Sequence, residues 1–282
     1  MILKFLRTAT FAATLAGGIS VFAGLGSAQA QEACTLQSPT TILLVDLTEQ
    51  YDEVDRRRLS AVLNSMVQNF KPSHRLEIFP LYDRPEDMVP LFSTCYPGCE
   101  DTGNAFIEFL TQECTGILVR EGQRKFVGDF ANLMARLVQA SGEADATRIL
   151  QTFSTLAPAV RERNVTNLVI FSDMIEYSPE TTVKIRGFDE REAGKLQAIA
   201  EERMNPGNAY AGIEVDVFGF GRRLGSRKLE NAWLDATNEE KRTQKVINPQ
   251  IPIESQNARK TFWENYFRNF LKVGSLRISN IN

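Results

Sequence analysis

Thr41-Ile-Leu-Leu-Val-Asp46-Leu-Thr48-Glu-Gln50 is the stretch on which the fold turns. Its apolar run has no polar alternation, so it reads as a short strand buried on both faces, as in a parallel sheet sandwiched by helices. Asp46 ends the run. Thr48 and Gln50 follow at alternate positions, where three oxygen-bearing side chains can converge while Leu47 and Glu49 turn away.

Outward from this strand, the pattern alternates between helix and strand. Leu59, Val62, Leu63, Met66, Val67 and Phe70 share one helical face, and Lys71-Pro72 ends that helix. Leu76 to Tyr82 reads as a second strand. Residues 83–122 hold Pro85, Pro90, Pro97 and three cysteines, and are expected to be a loop-rich insertion with a short strand at Ile117-Leu-Val119. A helix is expected from Lys125, with Phe126, Val127, Phe130, Leu133, Met134, Leu137 and Val138 in phase, broken at Ser141-Gly142. Another helix from near Asp145 carries Ile149, Leu150, Phe153, Leu156 and Val160. Leu168-Val-Ile-Phe171 is a buried strand followed by Asp173. A helix over Glu190–Arg203 and a strand over Ile213–Phe220 come next. Residues 222–257 are polar, with a short helix expected near Leu229–Ala236. Phe262, Trp263, Tyr266, Phe267, Phe270 and Leu271 mark a C-terminal aromatic helix at about 258–273, more simply read as packing on the sheet than as a docking face. Strands alternating with amphipathic helices specify an α/β class: a mostly parallel central sheet with helices on both faces, Rossmann-like in its layering.

The N-terminus sets the expected compartment. Lys4 and Arg7 precede an apolar run to Leu25, and Ala28-Gln29-Ala30 supplies a small-x-small cleavage pattern. Residues 1–30 thus read as a signal peptide, and 31–282 as a single exported domain, periplasmic or secreted, with no integral membrane segment after cleavage. Those first 30 residues hold two basic groups and no acidic ones, leaving 30 Lys and Arg against 35 Asp and Glu. A mildly acidic chain without a basic run is no nucleic-acid binder. Four cysteines in an oxidising compartment favour disulfides, with three connectivities open. The Pro-Gly turn between Cys95 and Cys99 favours pairing those two, which would leave Cys34 to Cys114.

Function in an open parallel sheet gathers at the carboxyl ends of the strands near a switch in strand order. That directs attention to Asp46 and Asp173. Here a resemblance enters. Asp46-x-Thr48-x-Gln50 after a first strand, Thr147 opening a middle helix, and Phe171-Ser172-Asp173 after a later strand resemble the A-domain family of von Willebrand factor. The likeness runs from about Thr41 to Phe220 as element order. That family builds a metal-ion-dependent adhesion site from Asp-x-Ser-x-Ser, a distant Thr and a later Asp. Asp46 matches the first Asp, Thr48 the first Ser, Thr147 the Thr (Ser141 competes for that role) and Asp173 the later Asp. Gln50 departs from the second Ser, and its longer side chain is expected to weaken or abolish metal affinity. The resemblance implies Mg²⁺ or another divalent cation, completed by a carboxylate from a partner protein. The partner expected is an unidentified envelope protein.

Catalytic patterns are sparse. His74 is the only histidine, so no His-Glu-x-x-His site exists, and its place beside Pro72 reads as a surface loop. There is no Gly-x-Ser-x-Gly elbow or Walker loop. Gly219-Phe-Gly221 with Gly225 has the wrong spacing for a dinucleotide loop and reads as turn glycines. Asp52, Glu53 and Asp55 suit the positive end of a helix better than paired-carboxylate hydrolysis. The chain reads as a binding module with no catalytic residues. The alternatives are a metal-dependent hydrolase acting through Asp46 and Asp173, and a structural assembly protein with a vestigial site, where Asp46 and Thr48 would only cap the next helix.

Overall fold

The computed structural model describes residues 34–48, 51–81, 84–98, 116–140, 146–178, 181, 183, 187–220 and 251–280. Strand β1 (Thr40–Asp46) is buried along its whole length, as an uninterrupted apolar run in a central strand must be. Helix α1 (Glu53–Gln68) leads to β2 (Arg75–Leu81), which pairs parallel to β1. A short 3-10 turn at Pro85–Asp87 precedes β3 (Phe92–Cys95), antiparallel to β2 at the sheet edge. Then follow α2 (Gly116–Ala140), α3 (Ile149–Glu162), β4 (Val165–Phe171), α4 (Glu190–Arg203) and β5 (Glu214–Phe220). Helix α5 (Ile253–Asn265) runs into a π turn at Tyr266–Phe270, and β6 (Ser275–Asn280) closes the described chain.

The six strands lie in the order β3-β2-β1-β4-β5-β6, all parallel except β3. This is the doubly wound α/β class. Its order reverses between β1 and β4, the place where such sheets open a crevice at their carboxyl ends. Period-two alternation splits the core. Ile42, Leu44, Leu168 and Ile170 face a layer built by α3, α4 and α5, while Leu43, Val45, Val169 and Phe171 face α1 and α2. The aromatic stripe of Phe262, Trp263, Tyr266 and Phe267 is buried in the first layer, packed on the sheet. Among the described residues no helix is long and apolar enough to cross a membrane. Residues 1–30 and 222–250, with their expected leader and helix, lie outside the described residues.

Several expectations are corrected. Ile117-Leu-Val119 is helical, not a strand, and the helix expected from Lys125 is already formed at Gly116. Its β-branched start is carried by propagation from the strongly amphipathic stretch that follows, since elongating a helix is far easier than nucleating one. Within the segment expected to be loop-rich, the strand is Phe92–Cys95, held by register with β2. The aromatic helix is not the last element. Leu276 and Ile278 alternate with Arg277 and Ser279 in β6. Its entry requires Gly274, because a Cβ there would meet the Gly212 carbonyl oxygen at 2.5 Å.

The disulfide joins Cys34 to Cys95, with Cα atoms 5.8 Å apart, and not Cys95 to Cys99. Register explains it. Cys95 pairs opposite Arg75 at the start of β2, where the Arg75 amide donates to Pro39 at 2.8 Å in the segment entering β1. Cys99 and Cys114 lie outside the described residues. His74 is also no loose surface residue. Its ring stacks on Phe70 at 4.6 Å, and Nε2 lies 2.8 Å from the Thr41 hydroxyl.

Candidate functional site

Asp46 and Ser172 stand side by side at the carboxyl ends of adjacent strands, because Val45 pairs with Phe171 in the β1–β4 register. Asp46 is fully buried, and both of its carboxylate oxygens are occupied. Oδ1 accepts the Thr48 amide at 3.0 Å and the Thr48 hydroxyl at 2.5 Å. Oδ2 accepts the Ser172 hydroxyl at 2.7 Å. Thr147 then donates its hydroxyl to Thr48 Oγ1 at 2.7 Å, across 99 positions of sequence. Tyr51 donates its phenol to the Asp46 carbonyl. Loops that are distant in sequence therefore meet in one buried polar chain of the kind that fixes a unique arrangement when its members are satisfied.

The loop after β4 is bent to fit. Met174 adopts a left-handed φ of 58°, a conformation that costs a non-glycine residue about 1–2 kcal/mol. Three hydrogen bonds hold it. The Met174 amide donates to Ser172 Oγ at 3.0 Å, the Ile175 amide to Asp173 Oδ1 at 2.9 Å, and the Trp263 indole to the Met174 carbonyl at 2.8 Å. Behind Ser172 the chain of β5 comes close, at Gly219 (φ 94°). A Cβ at that position would sit 3.0 Å from the Ser172 carbonyl oxygen. Gly219 is thus a close-approach glycine within β5 and not a turn residue. Further on, Thr147 and Tyr177 exchange amide hydrogen bonds of 2.8 and 2.9 Å in an isolated bridge.

Two charged side chains join the rim that the sequence reading passed over. Glu176 is buried and accepts the Leu150 amide at 3.0 Å, so it fills the amino end of α3. Burial is the largest influence on it and pushes its pKa up to about 7, against the Leu150 and Ile149 amides, Ser178 and Arg148. Arg259 on α5 is likewise buried, its guanidinium 4.9 Å from the Phe188 ring centroid. Burial lowers its pKa to about 10, and the negative charge of Asp173 opposes that fall. A signal for Arg259 existed: it lies three, four and seven residues before Phe262, Trp263 and Tyr266, in phase with the buried stripe. Ser172 stood within the quoted motif and received no role.

Asp46, Thr48 and Thr147 are directly linked. Asp173 follows Ser172, and the same loop carries both. Gln50 and Ser141 lie outside the described residues. Asp46 and Thr48 do not cap α1. Asp52 does so, accepting the Asp55 amide at 2.8 Å.

An oxygen-only donor set is the chemistry a hard divalent cation prefers. The arrangement of that set, however, does not fit one. Asp46 has both oxygens turned onto neighbouring hydroxyls and an amide, Thr147 directs its proton at Thr48, and Asp173 Oδ1 holds the Ile175 amide. Asp46, Thr48, Thr147 and Asp173 are 0 to 3% exposed. A Mg²⁺ ion that keeps several waters and offers an open position to a partner would have to break this chain.

No family model matches the chain, and no match was found among curated proteins. Among solved structures, an aerotolerance-related membrane protein from Bacteroides fragilis NCTC 9343 is similar over 86% of this chain and 92% of that one. The identity is 10% and the TM-score 0.36. A likeness this distant identifies neither family nor activity.

Proposed function

We propose that the chain is an exported, A-domain-like binding module that docks a protein through the loops at the carboxyl ends of its strands. The observation that carries this reading is the buried chain from Ser172 through Asp46 and Thr48 to Thr147, which locks loops from three parts of the sequence into one platform at the switch in strand order. Preorganised loops suit binding, because little ordering remains to be done when a partner arrives. The same burial disfavours catalysis. The hydroxyls and carboxylates of this centre lie inside the molecule, where a substrate atom cannot approach them. Export is supported by the leader-like residues 1–30 and by the Cys34–Cys95 disulfide, which suits an oxidising compartment.

The test is photo-crosslinking in cells that make the protein. A crosslinking side chain replaces Val54 or Glu86, exposed near the rim, or Gln37 or Glu162, exposed at the opposite end. Discrete adducts from the rim positions, weakened by Asp46→Ala, are expected. Adducts from the far end alone, or equal yields from both ends, would remove the reading. Hydrolysis of phosphate or acyl esters abolished by Asp173→Asn would replace it with the hydrolase alternative.

A further inference from the structure

Asp46 and Asp173 are two acids buried at neighbouring strand ends. A buried carboxylate pair normally demands a counter-charge, and a buried guanidinium demands one equally. Arg259 is that guanidinium. It reaches this region from α5, one turn before Trp263, whose indole is bonded to the residue after Asp173. Phe188 covers one face of the guanidinium at 4.9 Å, and Arg259 and Asp173 are both buried, the negative charge of Asp173 favouring the charged guanidinium.

We propose that Arg259 is the resident cation of this centre, supplying to the Asp173 loop the positive charge that a divalent ion would supply in an adhesion site. The centre is therefore metal-independent, and the C-terminal helix is one of its structural parts. A guanidinium suits the task because it stays charged when buried and offers several donors in one plane. It also explains how the hydroxyl chain can close on itself: with a cation already in place, no open coordination position is needed. This inference deepens the reading of the same centre and holds whether or not the rim docks a protein, so the two fail separately.

The test uses the purified chain. Its melting temperature is measured with Mg²⁺, with Mn²⁺ and with EDTA, and Mn²⁺ binding is followed by electron paramagnetic resonance. The expected result is one melting temperature in all three conditions and an undiminished free Mn²⁺ signal. A rise with Mn²⁺ that EDTA reverses would overturn the proposal. Next comes a double-mutant cycle of Arg259→Met and Asp173→Asn. Each single change is expected to lower the melting temperature by leaving one charge buried and alone. The double change is expected to lose less than the two losses combined. Strict additivity would overturn the pairing. If Arg259→Met fails to fold, recovery of folding on adding Asp173→Asn supports the proposal, and failure to recover counts against it.

Discussion

Glu176 should make this protein lose stability as pH rises from mildly acidic to neutral, contrary to the usual behaviour of carboxylates. The cause is burial. In the unfolded chain this carboxyl titrates near its ordinary value of 4.5, whereas in the fold it is held up to about 7. The folded state binds the proton more tightly, so the stabilisation is fully present below about pH 4.5 and is lost as pH rises through about 7. A shift of that size, at 1.36 kcal/mol per unit, corresponds to about 3 kcal/mol in all, of which about 2–3 kcal/mol falls between pH 5 and 8. The groups acting on Glu176 are Arg148 from the Thr147 loop, Ser178, and the amides at the start of α3, all favouring the charged form. Tyr266, across the packed layer, is pushed up by its own burial above all, and then by Tyr210 and by the Glu176 charge. Glu176→Gln keeps an acceptor for the Leu150 amide and removes the titration. Urea unfolding of both proteins from pH 5 to 8 isolates the effect. His74 works in the opposite sense, since burial lowers its pKa and its contribution, present above 6.5, is lost as pH falls from there through the lowered value. It is common to both proteins and cancels in the difference. The wild type should lose about 2–3 kcal/mol relative to Glu176→Gln across this range. Parallel curves would refute the reasoning.

Two further outcomes follow from the same geometry. Ser172→Ala removes the donor to Asp46 Oδ2 and the acceptor of the Met174 amide, and should cost about 1–3 kcal/mol in urea unfolding. A loss within error would show that the hydroxyl chain holds nothing in place. Replacing both Cys34 and Cys95 by serine opens a loop whose ends are 61 positions apart and should cost about 4 kcal/mol by chain entropy. Peptide mapping under non-reducing conditions should find the two cysteines in one linked fragment, and a Cys95–Cys99 fragment would contradict the assignment.

The sheet and its sandwiching helices were legible because their signals are long and local. Thr41–Asp46 and Leu168–Phe171 are unbroken apolar runs, and the helix over Glu190–Arg203 was bounded as it is found. Ile117–Val119 misled because β-branched composition favours a strand, whereas the helix that absorbs it is decided by residues further along. The disulfide depended on register between β2 and β3, a long-range property that spacing along the chain does not carry. Of the centre, Asp46, Thr48 and Asp173 were readable from their places after the strands, and Thr147 from its place before a helix. Ser172 and Arg259 required partners contributed by other elements: a neighbouring strand for one, and the packing of α5 over the rim for the other.

The disulfide also gives the molecule a direction. Cys34 is fastened at the amino-terminal end of the sheet, whereas the Asp46 centre lies at the carboxyl end of β1, about 20 Å away for a seven-residue strand. The covalent clasp fixes the place where the polypeptide enters the fold, so any tether carried ahead of Cys34 would pull on the base of the sheet. The rim would then point outward from the anchoring point, and tension on such a leash would pass into the clasped edge and leave the hydroxyl chain undisturbed.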